Sequence, residues 1–329
     1  MTGTPRNVNN SERSDHNRSP DPAQGAESVP TISSVVAAGT ARLRAAGVES
    51  ARLDARILIG AVLDLAPDQM LCRADSLISP ADFERIEALL ARRAEREPVS
   101  RILGRREFWS LDFALSSETL DPRPDSETLV EAAVAIAAGH ENLKVLDFGT
   151  GTGCLLLAVL SELPSARGLG VDLSTDALTT AAANAVRLGL GDRARFLRFD
   201  WRYDAPAALP PERYDLILSN PPYIPDGDIA GLEPEVARFD PRTALAGGAD
   251  GLDAYRILSR ILPSLLAPFG TALFEVGAGQ AGAVMRLMQS AGLEDVSTCH
   301  DLGGIERCII ARPHPAPAAT PAIENVGAK

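Results

Sequence analysis

The sequence contains few of the residues that build metal sites or disulfide frameworks. Among its 329 residues are only four cysteines and four histidines. The cysteines show no CxxC spacing and the histidines form no cluster. We therefore expect no metal cofactor and no disulfides. Scattered thiols of this kind are typical of buried, free cysteines in a reducing cytosol.

Basic residues and long apolar runs are also scarce. The chain has 32 Lys and Arg against 44 Asp and Glu, a formal net charge of −12. This balance argues against a protein that grips nucleic acid mainly through its phosphates. No apolar run reaches membrane-spanning length, and no charged-then-apolar leader opens the chain. We expect a soluble, cytoplasmic monomer with no direct nucleic-acid binding and no membrane contact.

Large apolar residues are almost missing from both ends of the chain. Residues 1–30 are rich in Asn, Ser, Pro, Asp and Arg, and residues 313–329 carry Pro-Ala repeats. Such segments cannot bury enough surface to offset their ordering entropy, so we predict two disordered tails. The 329-residue length suggests about two domains. A hydrophobic content of 45% is typical of a globular protein with a real core.

Residues 31–97 have a helical period and predict a small bundle. In its first half, apolar residues recur at three- and four-residue steps, as they do on one face of a helix. These residues are Leu53, Ile57, Leu58 and Val62. Nothing in this region suggests chemistry. A role in packing or partner recognition is the better interpretation.

A second bundle helix has a clear start signal. Ser79 supplies an N-cap hydroxyl and Pro80 suits the first helical position. Phe83, Ile86 and Leu90 then form the predicted buried stripe. The charged run at 92–97 predicts a solvated helix end, with partner binding as the lesser alternative.

The helical period fades between residues 98 and 120. Alternating apolar and polar residues from Phe108 to Phe113 predict a hairpin, which would link the bundle to the next domain.

A stiff, charged segment from Leu120 to Glu127 precedes the next predicted helix, at 127–138. Its two prolines restrict the backbone, and Asp125 or Ser126 can cap the helix. One interpretation is a helix cap beside an exposed arginine. The other is a lid in which Arg123 or the helix start meets a carboxylate-bearing ligand. The segment alone does not decide between them.

A strand, a glycine-rich turn and a helix begin the second domain. The strand runs from Leu143 to Phe148, the turn is Gly149-Thr150-Gly151-Thr152-Gly153, and an apolar helix follows at 155–163. The glycines allow a ligand to approach the backbone closely. The spacing is G-x-G-x-G with Asp147 two residues upstream. It is neither the G-x-G-x-x-G of dinucleotide sites nor a P-loop, and it offers no lysine for a phosphate.

Acidic residues stand at three successive strand ends. Asp147 lies at the first, and Asp172 ends the strand at 168–171, where it can accept from ribose hydroxyls. Asp200 and Trp201 follow the strand at 194–199 and can hold the edge and face of an adenine. Each acid alone could be a helix cap or a solvated loop residue. Together they predict an adenosine ligand without phosphates.

Asn220-Pro221-Pro222-Tyr223 directly follows the apolar strand Leu216 to Leu218. Each proline fixes its φ near about −65° and restricts the residue before it, so a rigid corner forms at a strand's carboxyl end, where open α/β sheets bind ligands. The Asn220 side-chain oxygen and the Pro221 carbonyl can accept both hydrogens of a planar –NH2 group. The Tyr223 ring can pack on its face. An ordinary turn is the alternative, but the whole motif after a buried strand favours a site.

These motifs resemble the S-adenosylmethionine site of class I methyltransferases. The stretch 220–223 is similar to the amino-group methylation motif of DNA adenine N6 enzymes and protein glutamine N5 enzymes. Further stretches resemble the HemK/PrmC family; they are residues 120–127, 234–236, 244–252 and 301–304. The resemblance spans about residues 31–312. Members of that family methylate the glutamine of the Gly-Gly-Gln motif in class I peptide-chain release factors.

The resemblance implies a fold and a domain division. The fold is an α/β, Rossmann-like, seven-stranded sheet of order 3-2-1-4-5-7-6 with strand 7 antiparallel, preceded by a small all-α bundle. The bundle at 31–97 would be the substrate-recognition domain, 98–120 the hairpin linker, and 121–312 the S-adenosylmethionine-dependent methyltransferase domain.

The resemblance also implies roles for individual residues. The implied cofactor-binding residues are Arg123, Asp147, Phe148, Gly149, Thr150, Gly151, Thr152, Gly153, Asp172, Asp200, Trp201 and Asn220. The implied catalytic residues are Asn220, Pro221 and Tyr223. The implied substrate-binding residues are Asn220, Pro221, Pro222 and Tyr223. Glu275 stands at a later strand end and could reach the site, although its position alone favours a structural role.

The chain departs from the family pattern only conservatively. Ser126 stands where threonine is common, Phe148 where leucine is usual, and Asp240 where glutamate is frequent. These differences leave details of loop packing open.

Three functions remain in view. The leading one is release factor glutamine methylation, which would modulate translation termination. The second is amino methylation of a ribosomal-protein glutamine, or of adenine N6 in DNA or RNA. The acidic charge and the lack of a basic recognition domain count against nucleic acid. The third is a non-catalytic scaffold of the same fold that binds a translation partner.

Overall fold

The computed structural model describes residues 29–313. The predictions of disorder for residues 1–28 and 314–329 lie outside the described residues. Pro30, within the first predicted tail, already takes part in the fold, because its carbonyl accepts the N–H of Ile78.

Between residues 29 and 104 the chain forms five helices. They are α1 (Ile32–Ala45), α2 (Ala51–Leu63), α3 (Pro67–Cys72), α4 (Pro80–Ala94) and α5 (Val99–Leu103). The predicted start of α4 is confirmed, since the Ser79 hydroxyl accepts the N–H of Asp82. Ile86 and Leu90 are fully buried, and Phe83 packs at the edge of the same core. The predicted stripe of α4 is therefore correct.

The predicted buried face of α2 is partly wrong. Leu53 is 61% exposed and Ile57 40% exposed, whereas Ala55 and Ile59 are fully buried. The reason is close approach between helices. A Cβ built on Gly39 of α1 would lie 3.6 Å from the Ala55 Cβ. Small residues face the neighbouring helix here. A search for large apolar side chains at helical spacing does not detect them.

The prediction that the charged run at 92–97 is a solvated helix end is only partly correct: Arg92 and Glu95 are exposed, but Arg93 and Arg96 pair with carboxylates. Arg93 is only 5% exposed and donates to Asp54 of α2 at 2.8 Å and to Glu235 of the second domain at 3.0 Å. Arg96 donates to both Glu235 oxygens at 2.6 Å. We call Asp54, Arg93, Arg96 and Glu235 the domain-bridging cluster. Because charges taken out of water need partners, the arginines turn inward toward these two carboxylates.

The predicted hairpin is confirmed in the middle of its segment. Strands β1 (Arg105–Phe108) and β2 (Leu111–Ala114) pair antiparallel. Residues 99–103, inside the predicted linker, instead form α5, and Ile102 packs into the bundle core. The domain boundaries themselves stay predictions.

The second domain alternates strands and helices. Its elements are α6 (Glu127–Ala137), β3 (Lys144–Phe148), α7 (Cys154–Glu162), β4 (Arg167–Asp172), α8 (Thr175–Arg187), β5 (Ala194–Arg198), β6 (Tyr214–Ser219), α9 (Pro234–Phe239), α10 (Arg242–Leu245), α11 (Asp253–Leu265), β7 (Leu266–Glu275), α12 (Ala281–Ser290), β8 (Asp295–His300) and β9 (Glu306–Arg312).

Among the described residues these strands form one seven-stranded sheet of order β5-β4-β3-β6-β7-β9-β8. Strands β3 to β7 run parallel, and β9 is antiparallel to both neighbours. Counted from β3, this order is 3-2-1-4-5-7-6 with strand 7 antiparallel. The predicted fold class is confirmed.

Apolar side chains fill both faces of the sheet. On one face Leu146 and Phe274 pack with α11 and α12, and on the other Val145 and Leu218 pack with α6 and α7. Parallel strands buried on both sides bring their carboxyl ends to one common edge. That edge carries the glycine turn after β3, Asp172, the 220–223 corner and Glu275. Nowhere in residues 29–313 is a helix both long and apolar enough to cross a membrane.

Candidate active site

A cleft opens at the carboxyl edge of the sheet. The predicted site residues on its wall are Arg123, Gly149, Thr150, Gly151, Thr152, Asp172, Trp201, Asn220 and Pro222. The other wall residues are Glu118, Leu120, Pro122, Ser126, Cys154, Leu155, Leu173, Ser174, Thr243 and Ala244. The predicted residues that do not line the cleft are Asp147, Phe148, Gly153, Asp200, Pro221 and Tyr223. The structure thus brings both predicted motifs, the glycine turn and the 220–223 corner, to a single cleft.

The glycine turn leaves bare backbone facing the cleft. Gly149, Gly151 and Gly153 have φ of 70°, 55° and 81°, in the left-handed region that glycine adopts without strain. A Cβ on Gly149 would also lie 3.3 Å from the Trp201 ring. Side chains at these positions would be strained, and one at Gly149 would press on the aromatic wall.

Asp172 is held at the cleft by backbone donors. Its two oxygens accept the N–H groups of Gly151 at 2.9 Å and Ser174 at 3.0 Å. A carboxylate has about four acceptor positions, so each oxygen can still accept from a ligand hydroxyl. Burial raises the pKa of Asp172, and the backbone hydrogen bonds oppose that shift.

Asp147 supports the turn from beneath. It is fully buried, and its Oδ2 accepts the hydroxyl of Thr150 at 2.6 Å. Burial raises the pKa of Asp147 to about 7, although the Thr150 hydrogen bond opposes the shift. Phe148 is also fully buried. These two residues shape the site without lining it.

Asp200 and Trp201 separate in the structure. Asp200 accepts from the Arg202 guanidinium at 2.9 and 2.7 Å, which holds the pKa of Asp200 below its ordinary value. Its neighbour Trp201 lies on the wall, edge-on to Phe148 with ring centroids 6.4 Å apart. The ring is placed to meet a planar ligand. The Asp200 carboxylate is already paired with Arg202, and its binding to the edge of an adenine stays a prediction.

A chain of hydrogen bonds lies behind Asn220. Its Nδ2 donates to Ser126 Oγ at 3.1 Å, and Ser126 Oγ donates to Glu275 Oε2 at 2.5 Å. The Tyr223 hydroxyl donates to the other Glu275 oxygen at 3.3 Å. We call Asn220, Ser126, Glu275 and Tyr223 the corner relay.

The helix-cap prediction for Asp125 and Ser126 is wrong. Neither side chain makes a cap hydrogen bond to α6. Asp125 pairs instead with Arg307 at 3.0 Å, and the Ser126 hydroxyl faces Glu275. A guanidinium on β9 engages Asp125 and a carboxylate on β7 engages Ser126, and neither side chain caps the helix.

Glu275 is almost fully buried at the end of β7, with 1% of its surface exposed. Burial raises its pKa to about 7, while hydrogen bonds from Ser126 and Tyr223 and the charge of Arg307 oppose that shift. A structural role was the preferred interpretation of Glu275, and reach into the site was the alternative. Glu275 contacts two groups of the corner relay directly.

The glycine-rich stretch at 244–252 holds the 220–223 corner in place. Ile224 exchanges backbone hydrogen bonds with this stretch, donating to Leu245 at 3.0 Å and accepting from Gly247 at 2.8 Å. Gly251 has φ of 76°, and a Cβ there would lie 2.3 Å from the Tyr223 carbonyl oxygen. Only glycine allows this approach without displacing the corner.

Arg123 lies on the wall and is also tied to the protein. Its Nη2 donates to Asp240 Oδ2 at 2.6 Å, and Arg101 of α5 donates to Oδ1 of the same carboxylate at 2.7 Å. Asp240 is buried. The arginine is therefore neither a freely exposed residue nor a free anion receptor.

Sequence reasoning missed several wall residues. Ser126 was considered only as a cap, and Leu173, Thr243 and Ala244 were given no role. Ser126 and Ala244 fall in stretches that carry the family resemblance, so that resemblance was the one available signal for them. Thr243 and Leu173 had none.

The charges on the wall match the predicted ligand class. Its charged residues are Glu118, Arg123 and Asp172, and the one guanidinium already pairs with Asp240. A wall with this balance suits an adenosine that bears a positive sulfonium better than a polyphosphate. Across residues 29–313 no group of His, Cys, Asp and Glu side chains could hold a metal ion.

The sheet order and the cleft at its carboxyl edge define a class I, S-adenosylmethionine-dependent methyltransferase. Sequence profiles agree: the PrmC N-terminal domain matches residues 34–104, and the methyltransferase small domain matches residues 107–231. A solved structure, the hMettl16 catalytic domain in complex with MAT2A 3'UTR hairpin 6, has the same fold. Its TM-score is 0.52 at 17% identity, over 67% of this chain and 84% of that chain.

Curated relatives identify the family. A release factor glutamine methyltransferase of Rhodospirillum rubrum is 51% identical, over 88% of this chain and 88% of its own. One of Cereibacter sphaeroides is 45% identical, over 84% of this chain and 96% of its own. The chain belongs to the release factor glutamine methyltransferase family.

Proposed function

We propose that this methyltransferase modifies the side-chain amide N5 of the glutamine in the Gly-Gly-Gln motif of class I peptide-chain release factors, and so modulates translation termination. The observation that supports this most is that Asn220 and Pro222 share one cleft with the glycine turn, Asp172 and Trp201. A corner rich in acceptors for an amide thus lies beside a surface suited to adenosine. The names of the relatives point to the same substrate.

Positioning is the main task of such a site. S-adenosylmethionine supplies a methyl group on a sulfonium, which is already a strong leaving group. An amide nitrogen is a poor nucleophile because its lone pair is delocalised into the carbonyl, so orientation matters greatly. We assign the Asn220 side-chain oxygen and the Pro221 carbonyl to accept the two amide hydrogens. Their negative ends also favour positive charge developing on nitrogen.

Tyr223 is tied to neighbouring residues through both its side chain and its backbone. Its hydroxyl donates to Glu275 and its carbonyl accepts from Gln280 at 2.9 Å. Pro222 rather than Tyr223 lies on the cleft wall. We therefore assign Tyr223 to hold the corner and Pro222 to line it.

The remaining assignments concern partners and compartment. We propose a cytoplasmic monomer that recognises the release factor through its helical bundle and does not bind nucleic acid directly. The four free cysteines fit a reducing compartment. The net charge of −12 disfavours a phosphate backbone as partner.

Methyl transfer from labelled S-adenosylmethionine tests this function. The substrates are purified release factor, its Gly-Gly-Gln variant with glutamine replaced by alanine, and duplex DNA. We expect label on the unaltered factor alone. Label on DNA, or equally on both forms of the factor, would overturn the substrate assignment. Cofactor binding without any transfer would favour a scaffold.

A further inference from the structure

The corner relay has a direction that follows from hydrogen-bond chemistry. An ionised carboxylate can only accept, so Ser126 must donate its single hydroxyl proton to Glu275. Toward Asn220, Ser126 Oγ is then left as an acceptor. The Asn220 amide must present its NH2 group to Ser126, as the 3.1 Å contact shows.

The opposite orientation of Asn220 is strongly disfavoured. A flipped amide would place its oxygen against the Ser126 oxygen, with no proton between them. Ser126 is only 3% exposed, so little water can repair that mismatch. An unsatisfied buried polar pair of this kind is more costly than an ordinary lost hydrogen bond.

We propose that Ser126 and Glu275 are positioning residues, which hold the Asn220 side chain with its oxygen directed at the amide to be methylated. This inference rests on the proposed function. Tyr223 completes the arrangement, because its hydroxyl occupies the second Glu275 oxygen and restrains the carboxylate. Neither positioning residue touches the reacting atoms; both act through Asn220.

The relay also depends on the ionisation of Glu275. A protonated Glu275 can donate, so Ser126 no longer has to, and the Asn220 amide loses its fixed direction. Besides the neutral hydroxyl of Ser126, the titratable and charged groups around the carboxyl are Tyr223, Arg307, Asp125, Tyr255, Cys154 and Cys308. Arg307 favours the ionised form and Asp125 opposes it. Since burial raises the pKa of Glu275 to about 7, we expect kcat to fall as the pH drops through that value.

Ser126→Ala is the first test, at saturating S-adenosylmethionine. Misorientation of a positioned group should lower kcat by about 10- to 100-fold, while the Kd for S-adenosylmethionine stays within about twofold. Ser126→Thr, which keeps the hydroxyl, should restore most of that kcat. The matched control is Ser259→Ala, which removes another buried hydroxyl, one that donates within α11 and lies off the cleft. It should leave kcat unchanged.

Glu275→Gln is the second test. Its amide oxygen can still accept from Ser126 but does not titrate, so the fall in kcat at low pH should disappear. A Ser126→Ala enzyme with normal kcat would overturn the inference. The inference would also be overturned if kcat of Glu275→Gln fell at low pH as it does in the wild type. A different carboxyl, such as Asp147, would then be responsible for the pH dependence.

The outcome for the wild type separates the two proposals. If it methylates release factor and Ser126→Ala does so equally well, this inference fails alone. If the wild type labels DNA instead, the substrate assignment fails, and the same variants tested on DNA decide this inference, because an adenine amino group needs the same acceptor. A wild type that transfers to neither would overturn both.

Discussion

Arg93→Ala should destabilise this protein far more than the loss of an ordinary surface ion pair. Arg93 and Asp54 are 5% and 7% exposed, and their side chains meet at 2.8 Å. Among residues 29–313, removing the arginine would leave the Asp54 side chain with the Ser50 hydroxyl as its one side-chain donor, at 2.8 Å. Glu235 would keep Arg96. The unpaired Asp54 is therefore the main source of the expected loss.

Breaking a buried ion pair by removing one partner costs about 3–5 kcal/mol. A matched exposed pair lies on the same bundle: Arg42 and Glu87 meet at 3.2 Å, with 42% and 43% of their side chains exposed. Such pairs contribute about 0–1 kcal/mol. Arg42→Ala is thus the control for removing an arginine from this bundle.

Urea unfolding of the full chain measures the difference. Circular dichroism reports the helices of both domains, whereas tryptophan fluorescence reports the second domain, because Trp109 and Trp201 both lie beyond the bundle. A transition seen by circular dichroism but not by fluorescence therefore belongs to the bundle. Two probes are needed since two domains need not unfold together. We expect Arg93→Ala to lower the free energy of unfolding of the bundle by at least about 2 kcal/mol more than Arg42→Ala. Equal losses in the two variants would refute the reasoning.

Three further substitutions test the site. Asn220→Ala should lose most turnover while it still binds S-adenosylmethionine by calorimetry; near-normal turnover would remove its catalytic assignment. Asp172→Ala should weaken cofactor binding by about tenfold, as expected for lost hydrogen bonds to a charged group, and unchanged affinity would contradict its ribose role. Gly251→Ala should lower kcat, since its Cβ would lie 2.3 Å from the Tyr223 carbonyl. Gly304→Ala is its control, with a similar φ of 78° but no atom within 4 Å; equal kcat losses in both would show that backbone strain, not displacement of the corner, is responsible.

Features encoded within a few neighbouring residues could be predicted from the sequence. The apolar strand before Asn220, the glycine-rich turn at 149–153 and the Ser79 cap are each encoded in a short run of neighbouring residues. Their chemistry is therefore visible in a short window. The strand order came from the family resemblance, and the structure confirmed it.

Features made by distant partners could not be predicted. Arg93 meets Glu235 across 142 positions, and Ser126 meets Glu275 across 149. A local pattern offers each residue only a local role, a solvated helix end for one and a helix cap for the other. Both roles were wrong because the deciding acceptors come from another domain or another strand.

Helix α9 shows how those distant contacts connect the bundle to the cleft. None of its six residues is buried, so apolar packing does little to fix its position. Glu235 in its first turn is held by two arginines of the bundle, and Asp240 just past its end is held by Arg101 of α5 and by Arg123 of the cleft wall. The wall residues at 243–244 follow directly in the chain. Paired charges thus link the bundle to the cleft wall, and they hold the bundle in a fixed relation to the 220–223 corner.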